Sequence, residues 1–79
     1  MSKKMKYIIF DEYDVIMFPE YWDHAETAYG FQGKTPTNAG FCNLYNDGVC
    51  AYGESVSLGL KSNKDDSLII NNQLGNEDL

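Results

Sequence analysis

The sequence has no arginine, one histidine, one tryptophan, two prolines and two cysteines among its 79 residues. Without arginine there is no planar guanidinium to grip a phosphate with two parallel hydrogen bonds. Six lysines against twelve acids leave a formal net charge of −6, which excludes a basic module that binds duplex nucleic acid by neutralising its phosphates. Long apolar runs are also missing. After Met1-Ser2-Lys3-Lys4-Met5-Lys6 come only Tyr7-Ile8-Ile9-Phe10 before the acids begin, far short of the roughly 18 residues that cross a bilayer. The expectation is a soluble, unexported protein of the cytoplasm with no membrane partner.

The scarcity of cysteine and histidine limits the chemistry further. Two cysteines and one distant His24 fit no compact zinc spacing. A three-residue Asn46-Asp47-Gly48 turn places Cys42 opposite Tyr52 and Cys50 opposite Leu44, while a two-residue turn sends the cysteines to opposite faces. Neither register opposes them, so no disulfide is expected, and both read as buried small apolar residues. His24 lies between Asp23 and Glu26 with no nucleophile or metal signature beside it. No catalytic residue, metal or cofactor is assigned, and the chain reads as a non-enzyme.

What is abundant is acid and aromatic surface, unevenly spread. Residues 1–10 carry three lysines and no acid, residues 11–26 six acids and no base, residues 27–62 are neutral, and residues 63–79 sum to −3. The acids at 11–26 read either as a solvated face or as a phosphate-mimicking one. A single domain over 1–79 is expected, with flexible ends at 1–5 and 76–79. A domain this small buries only about 60% of the surface its unfolded chain exposes, so a partner chain or a ligand would help its core.

Aromatic and β-branched density predicts strands at Lys6–Phe10 and Val15–Phe18, joined by the polar loop Asp11-Glu12-Tyr13-Asp14. Tyr21, Ala25, Ala28 and Tyr29 fall at helical spacing over Glu20–Tyr29, with Gly30 as a C-cap. Phe31–Thr37 reads as a loop. Strands are predicted over Asn38–Tyr45 and Val49–Leu60 around Asn46-Asp47-Gly48. A last helix is capped by Ser62 or Asn63, turns Leu68, Ile69 and Ile70 inward, and stops at Gly75. The fold class is therefore α+β: a β-β-α-β-β-α domain with a mostly antiparallel four-stranded sheet and two short helices on one face. Six tyrosines, four phenylalanines and a tryptophan exceed what two short helices hide, so a second copy of the chain is expected on the other face.

Within Tyr52–Ser62, small Gly53, Ser55 and Ser57 alternate with Tyr52, Glu54 and Val56, which on one strand would form a hydroxyl-bearing face open to a partner or a polar ligand. Lys34, Thr35, Thr37, Ser55, Ser57 and Lys61 supply ammonium and hydroxyl groups from the neutral centre, and Trp22, Phe41 and Tyr52 can stack on a nucleobase. With His24 and Glu54 these form the expected ligand-binding set, suited to a small nucleotide with one or two phosphates and not to a long polymer.

The strings His24-Ala25-Glu26-Thr27-Ala28, Thr35-Pro36-Thr37-Asn38-Ala39-Gly40-Phe41, Cys50-Ala51-Tyr52-Gly53-Glu54-Ser55-Val56-Ser57-Leu58-Gly59-Leu60-Lys61-Ser62 and Asp66-Ser67-Leu68-Ile69-Ile70 resemble a family of tiny bacteriophage proteins built on a Tyr-Gly-Glu-Ser-x-Ser-Leu centre. The resemblance departs at Asn63, where the family commonly has arginine. It implies phage counter-defence in an infected bacterial cell. One route is an anti-CBASS type sponge that sequesters a cyclic-dinucleotide immune signal without cleaving it. The alternative is an acidic protein–protein inhibitor of a nucleic-acid-binding defence complex, of the anti-CRISPR type.

Overall fold

The computed structural model describes residues 3–77. Strand β1 (Lys3–Phe10) pairs antiparallel with β2 (Asp14–Pro19) and β3 (Pro36–Tyr45), and β3 pairs antiparallel with β4 (Gly48–Tyr52), giving the sheet order β2-β1-β3-β4. A short helix α1 (His24–Tyr29) follows β2. Two-residue strands β5 (Glu54–Ser55) and β6 (Leu60–Lys61) form a separate antiparallel ribbon, and α2 (Asp66–Glu77) follows it. The four-stranded antiparallel sheet of an α+β domain is present.

The two halves of the apolar core lie on opposite faces of this sheet. Tyr7 and Ile9 of β1 pack with Cys42, Val49 and Ile70 beneath α2; Ile8 and Phe10 point the other way, with Phe18, Ala39, Leu58 and Leu60, beneath α1 and the ribbon. Side chains alternate across a strand, so a central strand covered on both faces must be apolar at successive positions, as Tyr7-Ile8-Ile9-Phe10 is. This corrects the expectation that both helices share one face.

Five further expectations are corrected. The helix predicted over Glu20–Tyr29 begins only at His24, because Asp23, extended at φ −85° and ψ 139°, accepts from the Glu26 amide and so fixes the N-cap there. The strand predicted over Val49–Leu60 ends at Tyr52, because Gly53 adopts φ +78° and turns the chain out of the sheet. A Cβ on Gly40 would lie 2.5 Å from the Tyr52 carbonyl oxygen, so the close approach at this corner depends on glycine as well. Helix α2 runs through Gly75 instead of stopping there, and Leu68 is exposed. Finally, Tyr45 pairs with Gly48, making the hairpin loop the two residues Asn46 and Asp47. This is one of the two registers the sequence allowed, and it sets the cysteines on opposite faces with both thiols free; Cys42 is buried as expected, but Cys50, expected to be buried too, is exposed. The ends expected to be flexible fall partly outside the described residues; of the rest, Lys3–Met5 join β1 and the helix continues through Glu77.

Helix α2 is tied to both sheet edges by polar side chains. Asn71 exchanges two hydrogen bonds with the backbone of Val49, accepting from its N–H at 2.8 Å and donating to its carbonyl at 2.9 Å, and Ser67 Oγ accepts from the Ala51 N–H at 2.8 Å. Gln73 accepts from the Val15 N–H and donates to the Tyr13 carbonyl at the opposite edge. The outward backbone groups at these positions are thus satisfied within the chain, which blunts edge-to-edge pairing there. At the start of α2, Asn63 Oδ1 accepts from the Asp65 N–H while the Asp66 carboxylate accepts from the Asn63 N–H, a reciprocal cap. That carboxylate is fully buried and also accepts from Tyr7 Oη and, at 2.6 Å, from Asn38 Nδ2.

Candidate functional site

Helix α1 and the β5–β6 ribbon pack over the Ile8 and Phe10 end of their sheet face, and His24 of α1 reaches as far as Phe18 and Phe41. Toward the Lys4 end the same face carries Lys4 and Lys6 from β1, Phe41, Asn43 and Tyr45 from β3, and Cys50 and Tyr52 from β4, as the pairings Lys4↔Asn43, Lys6↔Phe41, Asn43↔Cys50 and Phe41↔Tyr52 require. Of α1, His24 at its start meets this group at the Phe41 ring. The Phe41 and Tyr52 rings stack with centroids 6.1 Å apart and 25° between planes. The ammonium groups of Lys4 and Lys6 stand 4.7 and 5.9 Å from the Phe41 ring centroid, within cation–π range. Tyr52 Oη donates to Asn43 Oδ1 at 3.4 Å, and Asn43 Nδ2 donates to Tyr45 Oη at 3.3 Å. The result is an aromatic platform bordered by two cations and a side-chain amide.

His24 supports this platform from within. Its ring is 4% exposed and meets Phe18 and Phe41 edge to face, at centroid distances of 5.4 and 5.9 Å. Nε2 lies 2.8 Å from the Gly40 carbonyl oxygen, which can only accept, so Nε2 carries the proton. Burial holds the imidazole pKa below its ordinary value; Lys6 pushes the same way, against the Gly40 hydrogen bond and Asp23. The imidazole is therefore neutral at pH 7, and it acts as a packing and hydrogen-bonding element under Phe41. Gly53 abuts the same ring, since a Cβ there would be 3.1 Å from Phe41 Cδ1.

Of the eleven ligand-binding residues expected from the sequence, Phe41 and Tyr52 meet on this face and His24 sits beneath it. Trp22 lies at its margin, half exposed, stacked 6.4 Å from Phe18 and accepting from Lys6 Nζ through its carbonyl at 2.6 Å. The rest serve elsewhere. The Thr35 carbonyl accepts from the Asp11 N–H at 2.8 Å, its N–H donates to Asp11 Oδ1, and Thr37 Oγ1 accepts from the Glu12 N–H, so both threonines clamp the β1–β2 turn where Asp11 and Glu12 hold positive φ. Lys34 pairs with Asp14 at 3.2 Å. Ser55 is buried and accepts from the Leu58 N–H, while exposed Ser57 accepts from the Ala25 N–H at the start of α1. The expected serine face on one strand therefore does not form. Glu54 and Lys61 oppose one another across the ribbon, both exposed.

Lys4, Lys6 and Asn43 were not among the expected site residues. Their signal in the sequence is the alternation Lys4-x-Lys6 in a strand and Phe41-x-Asn43-x-Tyr45 in another, which set polar and aromatic groups on single faces. No helix among the described residues is long and apolar enough to cross a membrane. The chain matches no family model, no curated protein and no solved structure.

Proposed function

We propose that this protein binds and sequesters a small nucleotide signal of the cyclic-dinucleotide type, without cleaving it, as a phage counter-defence sponge. The observation that carries this reading is the stacked Phe41–Tyr52 pair on an open sheet face with two ammonium groups beside it. A base takes its place against the aromatic pair, and its phosphates draw Lys4 from Glu20 and Lys6 from the Trp22 carbonyl as well as from the Phe41 ring. Asn43 offers a donor and an acceptor to the base edge. The face is open and has no walls of its own, so in this reading a second copy of the chain closes over the ligand, the two bases of a cyclic dinucleotide matching two related half-sites. The counter-defence role rests on the Tyr-Gly-Glu-Ser-x-Ser-Leu resemblance. Retention of the ligand intact is supported by His24, whose imidazole is buried under Phe41 with its proton committed to Gly40.

Calorimetry against cyclic mono-, di- and oligonucleotides tests the proposal, with chromatography of the ligand afterwards. Binding by the wild type, recovery of unaltered nucleotide, and loss of about 5- to 150-fold in affinity for Phe41→Ala are expected, since one stacked base contributes about 1–3 kcal/mol. No binding at micromolar concentration across the panel would falsify the sponge reading.

A further inference from the structure

A second surface lies beside α1 and is independent of the nucleotide-binding proposal. Tyr21, Trp22 and Phe31 line a cleft of about 530 Å³ with Asp23, Glu26 and Thr27. Tyr21 is 83% exposed and Trp22 49%, so two large rings present apolar surface to water at the margin of an otherwise acidic stretch. The ionised side chains that line the cleft itself, Asp23 and Glu26, are both acidic. Among the described residues the cations nearest the cleft already have partners: Lys4 pairs with Glu20 at 3.8 Å, Lys34 pairs with Asp14, and Lys6 donates to the carbonyl of Trp22 at the cleft's margin. Asp23 Oδ2 accepts from the Glu26 N–H, and its other oxygen has no partner among the described residues. Glu26 is exposed and forms no ion pair there.

Aromatic faces beside uncompensated carboxylates suit a cation with a flat, weakly hydrated surface. Guanidinium meets both demands, because it stacks on indole and phenol rings while its N–H groups reach carboxylates in the same plane; an ammonium is a compact, strongly hydrated charge without a face to stack. We propose that this cleft docks an arginine side chain of a partner protein, with Trp22 and Tyr21 against the guanidinium and Asp23 and Glu26 accepting from it.

The test uses fluorescein-labelled hexa-arginine and hexa-lysine peptides at low ionic strength, read by anisotropy and by the fluorescence of Trp22, the one indole of the chain. A protein of net charge −6 attracts any polycation, so the decisive comparison is charge-matched. Asp23→Asn with Glu26→Gln removes two charges from the cleft and keeps a good N-cap residue; Asp47→Asn with Glu54→Gln removes two exposed charges elsewhere. The cleft pair is expected to weaken hexa-arginine binding about fourfold or more and the remote pair less than about twofold, on the usual scale of exposed ion pairs. Wild-type Trp22 emission is expected to change on binding, and hexa-lysine to bind several-fold more weakly. Equal losses in the two double variants, unchanged Trp22 emission, or parity between the peptides overturns the proposal.

Discussion

Replacing Tyr7 by Phe removes one oxygen atom and very little volume, yet it reaches the most enclosed polar contact in the fold. Tyr7 and Asp66 are each 0% exposed. The Asp66 carboxylate accepts from Tyr7 Oη, from Asn38 Nδ2 and from the Asn63 N–H, with no cation among its partners. Burial and the adjacent carboxylate push the phenol pKa well above its ordinary value, so Tyr7 remains a neutral donor throughout the usable pH range. Taking away one of three donors leaves the fully buried carboxylate one hydrogen bond short. A hydrogen bond to a charged group contributes about 1.5–3 kcal/mol. A 79-residue domain has about 4–12 kcal/mol in all, so Tyr7→Phe is expected to stay folded with a clearly lowered urea midpoint. At about 4–8 °C per kcal/mol, its melting temperature falls by on the order of 10 °C. A double-mutant cycle with Asp66→Asn separates the pair from its surroundings and is expected to return a coupling above about 0.5 kcal/mol. A cost below about 0.5 kcal/mol for Tyr7→Phe, or no coupling in the cycle, would refute the claim that this bond anchors α2 to the central strand.

Three further outcomes follow from the same structure. Gly53→Ala forces a side chain onto φ +78° and against Phe41 Cδ1, so urea melts should show a loss of at least about 1–2 kcal/mol; an unchanged midpoint would mean that this corner is not left-handed. His24 has a lowered pKa in the folded state, so between that value and the unfolded value of about 6.5 the unfolded chain binds more protons. Stability should therefore rise with pH through this window and level off above it, and His24→Gln should remove that part of the slope in urea melts across the window. In a thiol-labelling experiment, exposed Cys50 should react rapidly in the native protein, whereas Cys42, buried with its thiol pushed up to about 11, should react only on unfolding. Two fast thiols would contradict the two-residue hairpin.

Much of the local structure was legible because it depends on neighbours in sequence. The β1–β2 loop, the Asn46-Asp47 hairpin, the Gly30 boundary of α1 and the Asn63 cap of α2 all rest on short-range turn and cap chemistry. The strand break at Gly53 was less accessible, because Tyr52–Leu60 alternates like a strand and only the close packing of Gly53 on Phe41 and of Gly40 on Tyr52 reveals a corner. The candidate site was half legible. Phe41 and Tyr52 stand out as aromatics, but the hydroxyls of Thr37, Ser55 and Ser57 look like ligand donors in the sequence and are occupied by backbone partners in the fold, while Thr35 is held through its backbone by Asp11. A hydroxyl's type says what it can bond, and only its neighbours decide what it does bond.

By itself the sequence determined the class of the domain, its lack of a compact metal spacing, and the segregation of charge into a basic start, an acidic 11–26 segment and a neutral centre. These follow from composition and from periodicities of two or a few residues, which survive any arrangement in space. Which face each helix covers, which lysines stand over Phe41, and which half of the sheet remains open were decided by the tertiary structure. Lys4 and Phe41 are far apart in the chain and become neighbours only through the β1–β3 register. A shift of one residue in that register would exchange the faces of β1 relative to β3. The apolar run Tyr7-Ile8-Ile9-Phe10 is compatible with either face, so the choice falls to packing, with α2 anchored on one side through Asp66 and α1 with the ribbon on the other.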